Sequence, residues 1–234
     1  MALHTSAIRS LNLWGHPSFW ENVVRERKNT GGCILNAAVL GIVLVLATGV
    51  PAEAHHVMGG RTPSTFMEGF LSGLGHPVIG LDHLAFIAAM GVAAGVAGLN
   101  LAIPALFIVA SAIGVALHVR GITLPLAEML VAISVVVAGA MIASGRALRA
   151  LVWAALFVGA GLVHGYACGE SIYGAEASPL AAYLLGLVII QGAVATGVAL
   201  LVRRSGVGSM QPRLAGATIS GIGIAILAGQ FLPT

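Results

Sequence analysis

Six long segments of the chain are apolar and almost free of charge. They cover residues 77–98, 100–118, 124–144, 148–167, 179–202 and 214–232. A transmembrane helix needs about 20 consecutive apolar residues, because the hydrocarbon core of a bilayer is about 30 Å thick. The sequence therefore predicts an all-α integral membrane protein with about six transmembrane helices.

The composition excludes an ordinary soluble domain. Only 8% of the residues are charged, whereas soluble domains have about 25%. Aromatic residues amount to 6% and apolar residues do not alternate with polar ones, so a membrane β-barrel is not expected. The 32 glycines lie within apolar runs and predict close helix contacts. The expected partner is the lipid bilayer and not nucleic acid, because the net charge of +3 reflects arginines in loops. Homo-oligomerisation stays open.

The first 54 residues predict a signal peptide that is cleaved. A basic stretch at residues 25–28 precedes an apolar run from Cys33 to Val50, and Ala52-Glu53-Ala54 follows as a small-x-small cleavage site. Cleavage would make residues 55–234 the mature six-helix transmembrane domain. An uncleaved helix is the alternative.

Arginine residues predict the orientation in the membrane. The connections after the third and fifth apolar segments contain Arg146, Arg149, Arg203, Arg204 and Arg213. The opposite side holds Arg61 and Arg120. By the positive-inside rule the first group faces the cytoplasm, and export of His55 by a signal peptide requires the same orientation. We therefore expect a protein of the bacterial inner membrane with a periplasmic mature N-terminus.

Three ionisable side chains, His76, Asp82 and His83, lie at the start of the first apolar segment. An ionisable group within the membrane costs roughly 3 kcal/mol by insertion scales, so such groups usually serve an ion or proton site. The alternative is a helix end that meets water and lipid headgroups.

His76 and His83 are seven positions apart, which is about 10 Å along a straight helix. They cannot both bind one ion at about 2.0–2.1 Å from such a helix. Either the backbone is irregular near Pro77 and Gly80, or the two residues are successive stations on an ion path. Pro77 and the flanking glycines favour the first, with a short helix over residues 64–74 that ends at Gly75.

A second cluster lies at the end of the fourth apolar segment. His164 and Cys168 are four positions apart and share a helix face, which suits two metal ligands for a borderline or soft divalent ion. Packing residues are the alternative. Glu170 follows in the outer loop. Glu128, one turn into the third segment, is expected to be a ligand, a proton acceptor or a partner for His118.

The acidic and imidazole side chains of the apolar segments all lie toward the predicted outer side. This pattern predicts one shared metal site formed by the first, third and fourth segments, from His76, Asp82, His83, Glu128, His164, Cys168 and Glu170. Gln191 and Gln230, in the fifth and sixth segments, are expected to form hydrogen bonds between helices.

At these motifs the chain resembles the HupE/UreJ family of nickel and cobalt permeases. The resemblance covers about residues 55–205 and rests on His-Pro-x-x-Gly-x-Asp-His at 76–83, Pro-x-x-Glu at 125–128 and His-Gly-x-Ala-x-Gly at 164–169. It implies a cleaved leader, about six spans and uptake of Ni²⁺ or Co²⁺. By position it places the family's functional residues on His76, Asp82, His83, Glu128 and His164. Many members have a second histidine where this chain has Cys168.

We therefore expect a secondary permease for a divalent transition metal, not an enzyme, with no tightly bound cofactor. The sequence contains no G-x-x-x-x-G-K-[ST] loop, so any energy coupling would come from the membrane potential or from downstream trapping. The potential favours entry of a divalent ion by about 4.6 kcal/mol per 100 mV. The alternative is an intramembrane zinc hydrolase, in which His76, His83 and His164 hold the metal and Asp82 or Glu128 acts as the base.

Overall fold

The part of the chain that the computed structural model describes is entirely helical. It comprises residues 61–204 and 210–231, together with Ala37. Its elements are α1 (Phe66–Ile79), α2 (Leu81–Val96), α3 (Ala102–Val119), α4 (Ala127–Ala143), α5 (Ala150–Cys168), a 3₁₀ turn (Gly169–Ile172), α6 (Ala177–Arg204) and α7 (Met210–Gly229). The described residues contain no strand, and the predicted all-α fold is confirmed for them.

Each predicted apolar segment corresponds to one of the helices α2 to α7, with ends that differ by four residues or fewer. Among the described residues, α3, α6, α7 and α5 with its 3₁₀ turn are the four helices long and apolar enough to cross a membrane. The α1–α2 pair adds a fifth if it is one broken span. Helix α4 is apolar but has only 17 residues, so six crossings remain a prediction. The predicted cleavage after Ala54 lies outside the described residues.

Helices α1 and α2 are separated by a sharp break at Gly80. Their axes differ in direction by 77°. The prediction that Gly75 ends the first helix is wrong, because α1 continues through Pro77 to Ile79. Pro77 lies in the last turn, where it removes a backbone donor shortly before the helix ends. The first long apolar helix consequently begins at Leu81 and not at residue 77.

Thr65 fixes the start of α1 with a capping box. Its side chain accepts a hydrogen bond from the backbone N–H of Glu68, at 3.2 Å, and the Glu68 carboxylate accepts one from the N–H of Thr65, also at 3.2 Å. These bonds satisfy donors that the first helical turn leaves open. The cap therefore defines where α1 begins, fourteen residues before the break.

Glycines allow the closest helix contacts, as the sequence predicted. A Cβ atom at Gly73 of α1 would overlap the carbonyl oxygen of Tyr183 in α6. One at Gly165 of α5 would overlap the carbonyl oxygen of Ser111 in α3. These two contacts hold α1 against α6 and α5 against α3, and so they fix the helices that carry the histidines.

Candidate metal site

The break at Gly80 brings His76 and His83 together. Their ring centroids are 5.3 Å apart with the rings nearly perpendicular, and both side chains are buried. A continuous helix would separate the two residues by about 10 Å along its axis. Of the two arrangements that the sequence left open, the structure has the irregular backbone, with His76 folded back beside His83.

Cys168 completes a group of three potential metal ligands. One ligand atom each from His76, His83 and Cys168 lies within 4.8 Å of the other two, and this is the only such group found among the described residues. Three different helices, α1, α2 and α5, contribute the side chains. We call this group the ligand triad.

The position of Cys168 is fixed from the neighbouring helix α6. The thiol is completely buried and interacts with the side chains of both triad histidines. The hydroxyl of Tyr183 donates a hydrogen bond to the carbonyl oxygen of Cys168 at 2.7 Å. Because Tyr183 is itself fully buried, this bond holds the last turn of α5 at the site.

Asp82 orients the imidazole of His83. Its Oδ1 atom lies 2.7 Å from Nδ1 of His83 and accepts a second bond from the backbone N–H of the same residue, also at 2.7 Å. A carboxylate can only accept, so Nδ1 donates to Asp82. Nε2 lies 3.3 Å from the carbonyl oxygen of His164, which is also an acceptor. Carboxylate–histidine pairs of this kind fix the orientation of metal-binding imidazoles.

Gly80 provides the space for this carboxylate–histidine pair. A Cβ atom at position 80 would lie 3.1 Å from Oδ1 of Asp82 and 3.2 Å from Nδ1 of His83. Both distances are shorter than ordinary van der Waals contact, so a side chain there would push the pair apart. This crowding explains in steric terms why glycine suits position 80 of the His-Pro-x-x-Gly-x-Asp-His motif.

Ser171 orients His76 in a similar way. Its hydroxyl lies 2.7 Å from Nδ1 of His76, and both side chains are buried. Ser171 belongs to the 3₁₀ turn that directly follows Cys168, so one short segment supplies both a potential ligand and a hydroxyl that positions another. The sequence alone does not single out Ser171, because a serine in an outer loop does not by itself indicate a functional role.

His164 lies next to the triad without belonging to it. Its ring centroid is 4.9 Å from that of His83, and its side chain is fully buried. Ser134 Oγ lies 2.8 Å from Nε2 of His164 and donates its own proton to the carbonyl oxygen of Val131 at 2.7 Å. The hydroxyl must then accept a proton from Nε2, which leaves a lone pair on Nδ1. That Nδ1 atom is buried and has no hydrogen-bond partner within the described part of the chain.

The two predicted glutamate ligands lie outside the triad. Glu128, in the first turn of α4, and Glu170, in the 3₁₀ turn, are both exposed. Their assignment as ligands stays a prediction. Helix α4 approaches the histidines instead through Ser134, which the sequence analysis did not single out.

Two other polar predictions have different outcomes. Gln191 donates a hydrogen bond from α6 to Ser111 of α3 at 3.2 Å, as predicted, and both side chains are buried. Gln230 lies just beyond α7 and is exposed. His118 is partly buried against the rings of Tyr166 and Tyr173, at centroid distances of 4.6 and 5.7 Å, and takes no part in the triad.

An aromatic layer closes the site on the side away from the α1–α2 break. Phe86 stacks on Phe107 with centroids 5.1 Å apart and meets Phe157 edge-on at 6.3 Å. The ring of His164 lies 4.8 Å from Phe86. All three phenylalanines are buried, so they form an apolar layer next to His164.

The donor set of the triad suits a borderline or soft divalent ion. Two imidazoles and one thiolate match Ni²⁺, Co²⁺, Zn²⁺ or copper, whereas Mg²⁺ and Ca²⁺ prefer oxygen ligands. Ligands that bind one ion at about 2.0–2.3 Å lie at most about 4.6 Å apart. The triad, with separations up to 4.8 Å, therefore needs only a small contraction to bind one ion.

Comparison with known proteins finds a matching family and a similar protein. The family described as HupE / UreJ protein matches residues 42–226. The protein HupE of Rhizobium leguminosarum bv. viciae is 32% identical over 187 residues, which cover 78% of this chain and 94% of that protein. No solved structure matches the chain.

Proposed function

The chain belongs to the HupE/UreJ family, and from this premise we propose that it takes up Ni²⁺ or Co²⁺ across the bacterial inner membrane as a secondary permease. The ligand triad is the ion-binding site, and the periplasmic side is the side of the α1–α2 break. The metal ion is the transported substrate and not a resident cofactor.

The observation that carries this proposal is the convergence of His76, His83 and Cys168 within 4.8 Å. An ion that leaves water must exchange its hydration shell for protein ligands, and buried imidazole and thiolate groups can provide that exchange. With Nδ1 of His83 paired to Asp82 and Nδ1 of His76 to Ser171, we expect both imidazoles to bind the ion through Nε2. For His83 this requires Nε2 to lose any proton and to leave its contact with the His164 carbonyl oxygen, at 3.3 Å.

The charges near the triad also support a divalent cation. Binding displaces the proton of the Cys168 thiol, and the resulting thiolate together with the Asp82 carboxylate would balance two positive charges. Both side chains are buried, so screening by water is weak and this balance matters. A monovalent cation would leave one negative charge uncompensated.

The membrane potential would drive the uptake. A potential of 100 mV, negative inside, favours the entry of a divalent ion by about 4.6 kcal/mol. The aromatic layer of Phe86, Phe107 and Phe157 would have to open before the ion is released inward. We therefore assign the described conformation to a state closed toward the cytoplasm.

The zinc hydrolase alternative gains no support from the described residues. Asp82, one of its two expected bases, is engaged with the Nδ1 and backbone N–H of His83. Glu128, the other, is exposed and outside the triad. Neither carboxylate is therefore placed to activate a water molecule on an ion bound by the triad.

Purified protein in liposomes with an enclosed metal-sensitive dye provides the direct test. With an imposed potential, negative inside, we expect entry of Ni²⁺ or Co²⁺ for the wild type, none for His83→Ala and nearly normal entry for His118→Ala. The last variant is the control, because His118 is a histidine outside the triad. Entry at the wild-type rate in the His83→Ala protein would refute the proposal.

A further inference from the structure

We infer that the protein has a second binding site, for a phosphate group, at the end of the helix bundle opposite the triad. A cavity of about 760 Å³ lies there between α2, α4, α5, α6 and α7. This volume is within the range of ligand-binding pockets, about 300–1,000 Å³. We call it the arginine cavity.

Three guanidinium groups give the arginine cavity its charge. Arg146, Arg203 and Arg213 line it, and none of the acidic residues that the structure describes does. The acids that the structure describes, Glu68, Asp82, Glu128, Glu170 and Glu176, belong to the segments at the opposite, histidine-bearing end. Three positive charges around one cavity without a neutralising carboxylate attract an anion.

The three arginines differ in how many of their guanidinium N–H groups already donate hydrogen bonds within the protein. Arg203 donates to the carbonyl oxygens of Ala94 and Leu99, and Arg213 donates through Nε to a carbonyl at the end of α4, at 3.0 Å. The guanidinium of Arg146 donates no hydrogen bond within the described residues. Since each guanidinium has five N–H donors, the set as a whole keeps many donors for an anion.

A buried indole adds an independent indication of a ligand. Trp153 lines the cavity and is only 4% exposed. Its Nε1–H is buried and has no hydrogen-bond partner among the residues that the structure describes. An unpaired buried donor is costly, and an indole nitrogen can only donate. A phosphate oxygen is an acceptor that would satisfy it.

The remaining lining of the cavity points to an amphipathic anion. Apolar side chains, among them Val96, Met141 and Val202, line the cavity together with the arginines. The arginine end is also the end that the sequence predicts to be cytoplasmic, and basic pockets between transmembrane helices on that side bind anionic headgroups. The phosphate of an anionic phospholipid fits these features, and free inorganic phosphate shares the chemistry.

Two substitutions test the site without removing the arginines that bind helix-end carbonyls. Arg146→Gln removes one charge, and Trp153→Phe removes the indole N–H while it keeps an aromatic ring. Arg149→Gln is the matched control, because Arg149 is an exposed arginine of the same connection that does not line the cavity. Metal uptake by each variant verifies that it is folded.

Native mass spectrometry of the purified full chain measures the binding of phosphatidylglycerol, phosphatidylcholine and inorganic phosphate. We expect selective retention of phosphatidylglycerol by the wild type and Arg149→Gln. For Arg146→Gln we expect about fivefold weaker retention, the worth of one charge near an anionic headgroup. For Trp153→Phe we expect a loss of about the same size, the worth of one hydrogen bond. Binding of inorganic phosphate with the same dependence on the two variants would support the site and identify the free ion as its ligand. Equal binding by all four proteins, or no preference for the anionic lipid or phosphate, would overturn the inference.

Discussion

The two ends of the helix bundle leave opposite kinds of buried polar atom without a partner. Among the described residues, the unpaired atoms at the histidine end are Nδ1 of His118 and Nδ1 of His164, and the latter offers a lone pair because Nε2 is committed to Ser134. At the arginine end the unpaired atom is Nε1 of Trp153, which can only donate. An acceptor without a partner suits a cation and a donor without a partner suits an anion. Nδ1 of His164 and Nε1 of Trp153 therefore indicate that the histidine end suits a cation and the arginine end suits an anion. We call them the cation end and the anion end.

The two ends also differ in how their charged groups are held. At the histidine end, each triad imidazole is oriented by a second side chain, Asp82 for His83 and Ser171 for His76. At the arginine end, Arg203 and Arg213 bind main-chain carbonyls at helix ends. The side-chain pairs hold the triad imidazoles in fixed orientations for a ligand. The contacts of the arginines with carbonyl oxygens mainly hold helices together, and they leave other guanidinium N–H groups available to an anion.

Removal of a triad imidazole should have the largest effect on the cation end. For His83→Ala we expect metal affinity to fall by more than about 100-fold, beyond the range seen for orienting partners, because a ligand itself is lost. Isothermal titration of Co²⁺ into purified protein measures this. His118→Ala should bind nearly as the wild type does. If the two variants lost affinity equally, the histidine end would have no special site.

Loss of the orienting carboxylate should have an intermediate effect. Asp82→Ala leaves both imidazoles and the thiol in place but releases the His83 ring, so we expect a loss of about 10-fold to 100-fold in metal affinity. Asp82→Asn should be milder, since an amide oxygen still accepts from Nδ1. A loss as large as that of His83→Ala would instead make Asp82 a direct ligand.

Crowding of the Asp82–His83 pair should have a smaller effect. For Gly80→Ala, whose new Cβ would lie 3.1 Å from the carboxylate, we expect metal affinity to fall by less than about tenfold. Gly159→Ala is the control, because no atom lies within 4 Å of a Cβ at that helical position. Identical binding curves for the two alanine variants would show that the break tolerates a side chain.

A change at the anion end should leave the cation end unaffected. Arg146 lines the arginine cavity, beyond the aromatic layer that closes the triad. For Arg146→Gln we expect unchanged Co²⁺ affinity in the titration. A clear change in that affinity would show that the two ends are coupled and not independent sites.

The sequence predicted the helices well because long apolar segments carry a strong signal. It also predicted that irregular backbone near Pro77 and Gly80 could bring His76 to His83, and the break does lie at Gly80. It ended the first helix too early, because neither Gly75 nor Pro77 ends α1. At Gly80 an added Cβ atom would crowd Asp82 and His83. This crowding is visible only in three dimensions.

The partners of the histidines could not be predicted from local spacing. Ser134 is 30 positions from His164, and Ser171 is 95 positions from His76. Serines are common in membrane helices and loops, and only the packing of α4 and the 3₁₀ turn beside the histidines gives these two a role. The same packing leaves Glu128 and Glu170 exposed, although their positions in the sequence had made them candidate metal ligands.

X-ray absorption spectroscopy of the purified protein loaded with one Ni²⁺ tests the ligand triad most directly. The triad predicts one sulfur ligand near 2.3 Å and imidazole nitrogens near 2.0–2.1 Å, the distances known for Zn²⁺. In Cys168→Ser the sulfur signal should disappear while the imidazole signal remains. A wild-type spectrum with nitrogen and oxygen ligands only, unchanged in Cys168→Ser, would contradict the assignment of His76, His83 and Cys168 as the ion-binding site.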